Sequence, residues 1–131
     1  MIDHVSVAVR DLAAAAAFYA RLLEPLGYAK LVTRPGTIGF GKKYPELWLN
    51  LRTDLAPAHA NPGGHVALRA TSETAVRAFH AAALAAGGTS AGVPGPRQAA
   101  MTTYFGAFIL DPDGNKLEAV SFAAPGASLS A

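Results

Sequence analysis

Cysteine is missing from this 131-residue chain, which excludes disulfides and thiolate metal sites alike. Charge is also scarce. Only 15% of the residues are Asp, Glu, Lys or Arg, and 11 basic against 9 acidic side chains leave a formal net charge of +2. Beyond the Lys42-Lys43 pair the basic residues form no cluster. Nucleic acid binding needs a basic face or stripe, and none is expected here. No apolar run approaches the ~18 residues of a membrane-spanning helix. The opening "MIDHVSVAVRDL" already reads as a strand, with no charged segment ahead of an apolar one. No signal peptide is therefore expected, and the expected address is the cytoplasm. What the chain does have is apolar surface, at 51% of residues. That amount, at this length, predicts a single globular domain spanning residues 1–131.

The domain is built on an internal repeat. "HVSVAVRDLAAAAAFYARLLEPLG" from residue 4 aligns without gaps on "HVALRATSETAVRAFHAAALAAGG" from residue 65. His4 falls on His65, Val5 on Val66, Phe18 on Phe79, Leu23 on Leu84 and Gly27 on Gly88. Two copies of one supersecondary unit are expected. In each, an alternating strand comes first; Val5, Val7 and Val9 form one face of the first. A helix follows, capped by Asp11 in the first copy and by Thr71 or Ser72 in the second. Phe18, Leu22 and Leu26 give the first helix its apolar side. Pro25 with Gly27 ends that helix, and Gly87-Gly88 ends the other. Three short strands complete the first unit, near 28–34, 37–41 and 46–52. In the second unit "TYFGAFIL" and "NKLEAVSF" flank the turn "DPDG", while "SAGVPGPR" is poor strand material. The fold class is α+β, with strand-helix-strand-strand-strand occurring twice. The modules are placed at 1–52 and 64–122, with a linker at 53–63 and a frayed tail at 123–131.

Glu118 stands out in the last strand, between Leu117 and Ala119, because a carboxylate in an apolar strand needs a partner. If Val5, Val7 and Val9 lie under the first helix, then His4, Ser6 and Ala8 face the other side of the sheet. The same parity puts His65 and Ala67 on that side of the second unit. Two imidazoles at repeat-equivalent positions and one carboxylate suit a divalent metal and leave coordination sites open. Either histidine alone would more simply be a half-exposed strand residue, and Glu118 could pair with Lys116. His59 lies in a Pro/Ala/Asn loop and His80 on a helix, so both read as structural or solvated. Matching the final strands of the two units sets Trp48 opposite Glu118. Tryptophan cannot ligate a metal, although it can wall a pocket. Glu46 and Asn50 share its strand parity and would replace it if the register differed.

These residues resemble the vicinal oxygen chelate superfamily of glyoxalase I, extradiol dioxygenases, fosfomycin-modifying enzymes and bleomycin-resistance proteins. The resemblance rests on "IDHVSVAVRDLAAAAAFY", "GGHVALRA" and above all "FILDPDGNKLEAV". It implies two βαβββ modules whose curled mixed sheets surround a cavity. It also implies metal ligation by His4, His65 and Glu118, with substrate oxygens chelating the ion. The ion would be iron, manganese, nickel or zinc, since histidine and carboxylate ligands accept all four. Trp48 stands where glyoxalase I carries a glutamate, a departure that counts against glyoxalase I activity itself.

Two functions are expected. One is a metal-dependent lyase or extradiol-type dioxygenase acting on a small oxygenated substrate, with Trp48, Tyr104 and Arg97 as substrate contacts; Tyr44 is a further candidate and no general base stands out. The other is a metal-free protein that sequesters a planar compound against Trp48, Phe40, Tyr104 and Phe108. A lone module of ~60 residues buries too little surface to stand alone, and relatives often share cavities between two chains, so a homodimer is expected.

Overall fold

Both alternating runs fold as strands, and both alanine-rich runs fold as helices. In the computed structural model, which describes residues 1–56 and 63–122, the first module runs β1 (Val5–Val9), α1 (Leu12–Leu23), β2 (Ala29–Arg34), β3 (Thr37–Gly41) and β4 (Pro45–Leu51). The second runs β5 (Val66–Arg69), α2 (Glu73–Ala85), β6 (Thr89–Gln98), β7 (Thr103–Leu110) and β8 (Lys116–Ser121). His59, much of the expected linker and the expected tail lie outside the described residues. The Asp11 carboxylate accepts from the Ala14 N–H at 3.0 Å, and the Ser72 hydroxyl accepts from the Ala75 N–H at 3.1 Å. Both caps satisfy donors that a first helical turn leaves open. The first helix stops at Leu23 because Pro25 cannot continue it. A 3₁₀ turn (Glu24–Leu26) follows, and Gly27 takes the left-handed conformation at φ 83°.

The sheet orders are β1-β4-β3-β2 and β5-β8-β7-β6. In each sheet the first and last strands of the module pair in parallel at one end, and the remaining pairs are antiparallel. The sheets are curled rather than closed, and each is covered by helix on one face only. Ile38, Phe40, Leu47 and Leu49 point inward from the first sheet, and Phe105, Ile109, Leu117 and Ala119 from the second. They join Phe18 and Leu22 of α1 and Val76 and Phe79 of α2 in one core. Each large side chain fully buried there stabilises the fold by about 1.5–3 kcal/mol. Ala15, Ala16, Ala75 and Ala83 are buried as well, and their small size lets α1 pack directly on α2. Phe40, expected to wall a ligand site, is fully buried in this core instead.

One expectation fails and its cause is visible. "SAGVPGPR" lies inside β6, the longest strand among the described residues. The strand is tolerated because it is the sheet edge, where a proline lacking its N–H breaks no second ladder. Register shifts between Ser90 and Gly92 and between Gly92 and Gly95 take up the irregular backbone.

The turn between β7 and β8 ties the modules together. Asp111, almost fully buried, accepts from the backbone N–H groups of Asp113 and Asn115 at 2.9 and 2.8 Å. It also accepts from the Tyr19 hydroxyl of α1 at 2.5 Å. The Asn115 amide donates to the Ala8 carbonyl of β1 at 2.8 Å, and Asp113 takes both the Arg10 N–H and its guanidinium. The "DPDGN" segment is thus a turn and an inter-module clasp at once.

Candidate functional site

The uncovered face of the second sheet holds the most concentrated chemistry. Leu117 and Ala119 face the core, so Glu118 between them faces away, directly across from Ala67 on β5 and Phe108 on β7. It is nevertheless only 3% exposed. A buried carboxylate needs partners, and Glu118 has a hydrogen bond on one oxygen and a histidine beside the other. The Tyr104 hydroxyl donates to Oε2 at 2.7 Å, and His65 Nε2 lies 3.2 Å from Oε1. Gly106 makes the first contact sterically possible. A Cβ there would sit 2.8 Å from Tyr104 Cε2 and 3.1 Å from Glu118 Oε2, so the tyrosine ring reaches the carboxylate across a missing side chain. Burial, reinforced by the bond to the carboxylate, pushes the Tyr104 hydroxyl up to about 12 and keeps it a donor.

Around this centre stand rings and cations. The Phe108 ring meets His65 edge to face at a centroid distance of 5.5 Å, and Lys116 Nζ lies 4.7 Å over the same ring. Tyr104 packs on Phe122, and the Arg69 guanidinium lies 4.4 Å over the Phe122 ring. Arg97 on β6 is registered with Tyr104. The sequence offers Lys116 only as a possible ion-pair partner of Glu118 and does not single out Arg69, although strand parity from Glu118 and His65 points to both.

The first sheet carries the repeat-equivalent face. Trp48 pairs with Ser6 as Glu118 pairs with Ala67, so the two do occupy matching places. Trp48 rests on Gly39, where a Cβ would fall 2.9 Å from its ring, and Arg34 lies 5.9 Å over it. His4 has 52% of its side chain exposed, and its Nδ1 is 2.7 Å from Asp3 Oδ2. His4, Glu46, His65 and Arg69 share a groove of about 370 Å³ between the starts of β1 and β5.

Of the three expected ligands the fold therefore brings two together. His65 and Glu118 touch, whereas His4 pairs with Asp3. Among the described residues no three His, Asp or Glu side chains are grouped to hold an ion. The pair that does form fits one. Two ligands held at ~2.1 Å on neighbouring corners of a coordination shell stand ~3 Å apart, close to the 3.2 Å between His65 Nε2 and Glu118 Oε1. Of the expected substrate contacts, Tyr104 and Arg97 share this face and Trp48 belongs to the other. Tyr44 is 57% exposed in the β3–β4 turn, and His80 is buried, 2.8 Å from the Ser90 hydroxyl.

A family model described as Glyoxalase/Bleomycin resistance protein/Dioxygenase superfamily matches residues 1–119. A glyoxalase/bleomycin resistance protein from Albidiferax ferrireducens T118 is 32% identical, with a TM-score of 0.81 over 92% of this chain and 98% of that one. A glyoxalase/bleomycin resistance protein/dioxygenase family enzyme from Burkholderia phytofirmans PsJN is 18% identical (TM-score 0.68, 93% and 98% covered). The fosfomycin resistance protein FosX from Listeria monocytogenes shares the fold at 15% identity (TM-score 0.67, 95% of each chain covered). No curated protein sequence matches significantly.

Proposed function

The chain belongs to the Glyoxalase/Bleomycin resistance protein/Dioxygenase superfamily, and from that premise we propose that it is a metal-dependent enzyme of the vicinal oxygen chelate type. The observation that carries this reading is the geometry of Glu118: a buried carboxylate with one oxygen fixed by Tyr104 and the other turned to His65. His65 and Glu118 would hold a divalent ion, and His4 of a second copy of the chain would complete the set. When bound, such an ion supplies Lewis-acid stabilisation to the oxygens of a small substrate. The chain's own residues prepare the place. Tyr104 holds Glu118 in one orientation, as an outer partner of a ligand does. Phe108 stands directly across from the carboxylate, and Arg97, with Trp48 of the second copy, would bound the space where substrate lies. The reaction is a lyase or dioxygenase step in the cytoplasm, carried out by a homodimer. Trp48 in the fourth-ligand place argues against glyoxalase I chemistry.

A metal-free sequestering protein is the second reading. It is favoured by the absence of a third ligand beside His65 and Glu118 among the described residues and by the aromatic walls. Elemental analysis of protein purified without chelator separates the two. The enzyme reading expects a bound divalent metal that His65→Ala removes while the circular dichroism spectrum is unchanged. Metal-free wild-type protein that still binds planar compounds would favour sequestration.

A further inference from the structure

The uncovered face of the second sheet is unusual in its charge. Glu118 is the single carboxylate there among the described residues, with Oε2 bonded to Tyr104 and Oε1 3.2 Å from His65 Nε2. Arg69, Arg97 and Lys116 lie around it, and none is ion-paired with a carboxylate among the described residues. Two of these cations stand near one ring. β7 carries Phe108; Lys116 comes from β8, and Arg97 on β6, registered with Tyr104, reaches back along its strand to Gly92, which is registered with Phe108. The Lys116 amine lies 4.7 Å over the ring. Arg97 lies flat along β6 because Gly92 and Gly95 have no side chains. A Cβ at Gly92 would stand 3.3 Å from Arg97 Nη2 and 3.0 Å from Phe108 Cδ2, and one at Gly95 would stand 3.2 Å from Arg97 Nη1. The guanidinium is fixed there by donating to the carbonyls of Val93 and Pro96. That leaves the rest of its fork free. The glycines that make β6 poor strand material are what seat this arginine.

We infer that this face selects an anionic planar ligand, its ring laid against Phe108 and its acid group clamped between Arg97 and Lys116. A flat apolar platform flanked by two unpaired cations complements an aromatic acid. It offers a neutral analogue the same stacking and no charge partner. A positively charged ligand would meet repulsion from both sides. The inference rests on reading this face as the binding site, and it names the class of molecule that the site takes.

The test uses naphthalene-2-carboxylate and naphthalene-2-carboxamide, titrated calorimetrically into the full chain, both metal-loaded and after chelation. The acid should bind about tenfold more tightly than the amide in both states. Arg97→Gln should bring the two affinities together, the acid losing more than the amide. Lys116→Gln should narrow the gap too, and it serves as the check if Arg97→Gln folds poorly. Equal affinities in the wild-type protein, or no binding of either probe at millimolar concentration, would overturn the inference. So would a preference seen only with metal and surviving Arg97→Gln, because the ion would then be its source. An Arg97-dependent preference in protein that takes up no metal would leave this inference standing and sink the metal-dependent reading instead.

Discussion

A carboxylate as buried as Glu118 is stable only while it has partners; Oε2 takes a hydrogen bond from Tyr104, and Oε1 faces His65. His65 lies just ahead of β5 and Tyr104 near the start of β7. Removing the Tyr104 hydroxyl leaves Oε2 without a donor, at a cost of about 1–3 kcal/mol in folding stability. It also frees the carboxylate to rotate, so Tyr104→Phe should weaken metal binding by roughly 10–100-fold. Calorimetric metal titration beside chemical denaturation checks both. Unchanged metal affinity would make Tyr104 a packing residue. Gly106→Ala should reproduce the loss by pushing the Tyr104 ring off the carboxylate, with the phenol still present. The anomaly of Glu118 is legible in the sequence, because alternation sets its parity and a lone acid in an apolar run draws notice. Its tyrosine partner is not legible. Phe108, not Tyr104, stands directly opposite Glu118, and the diagonal reach depends on a glycine whose role shows only in three dimensions.

At the scale of elements, the helices and most strands follow from periodicity, caps and turn residues, since those signals are local. β6 does not, because its glycines and prolines argue against a strand unless the strand is known to be an edge. The clasp at 111–115 shows the same limit. "DPDGN" announces a turn, but its bonds to Tyr19, Ala8 and Arg10 depend on how the modules pack. That clasp has a pH signature. Burial, with the Asp111 charge next, raises the Tyr19 hydroxyl well above its ordinary value. A group whose folded pKa is raised contributes stability in full below its unfolded pKa and loses it as pH climbs toward the folded value. Unfolding free energy should therefore begin to fall above about pH 10, the ordinary tyrosine value. Tyr19→Phe should reduce that alkaline slope and lower stability at neutral pH by about 1–3 kcal/mol through the orphaned Asp111 oxygen. Denaturation at neutral and alkaline pH measures both effects, and identical slopes in the two proteins would contradict the assignment.

For the whole molecule, the internal repeat has a geometric consequence. Each module presents one uncovered face, with Trp48 on the first and Glu118 on the second at matching places in the sheets. Within one chain His4 stays with Asp3 while His65 meets Glu118. A two-fold dimer that set the first module of one chain beside the second module of the other would supply His4 to the His65–Glu118 pair, twice over. Mixing separates this from a site completed inside one chain. His4→Ala and His65→Ala each break both sites of their own homodimer. In a mixed dimer, one site collects both substitutions and the other collects neither. Unfolding the two variants together and refolding them should restore about a quarter of the wild-type metal content, since about half of the dimers are mixed and each has one intact site. Refolding them separately and combining them without exchange should restore none. If co-refolding recovers no metal although light scattering shows dimers, His4 is not supplied in trans. The site would then be completed by His4 of the same chain.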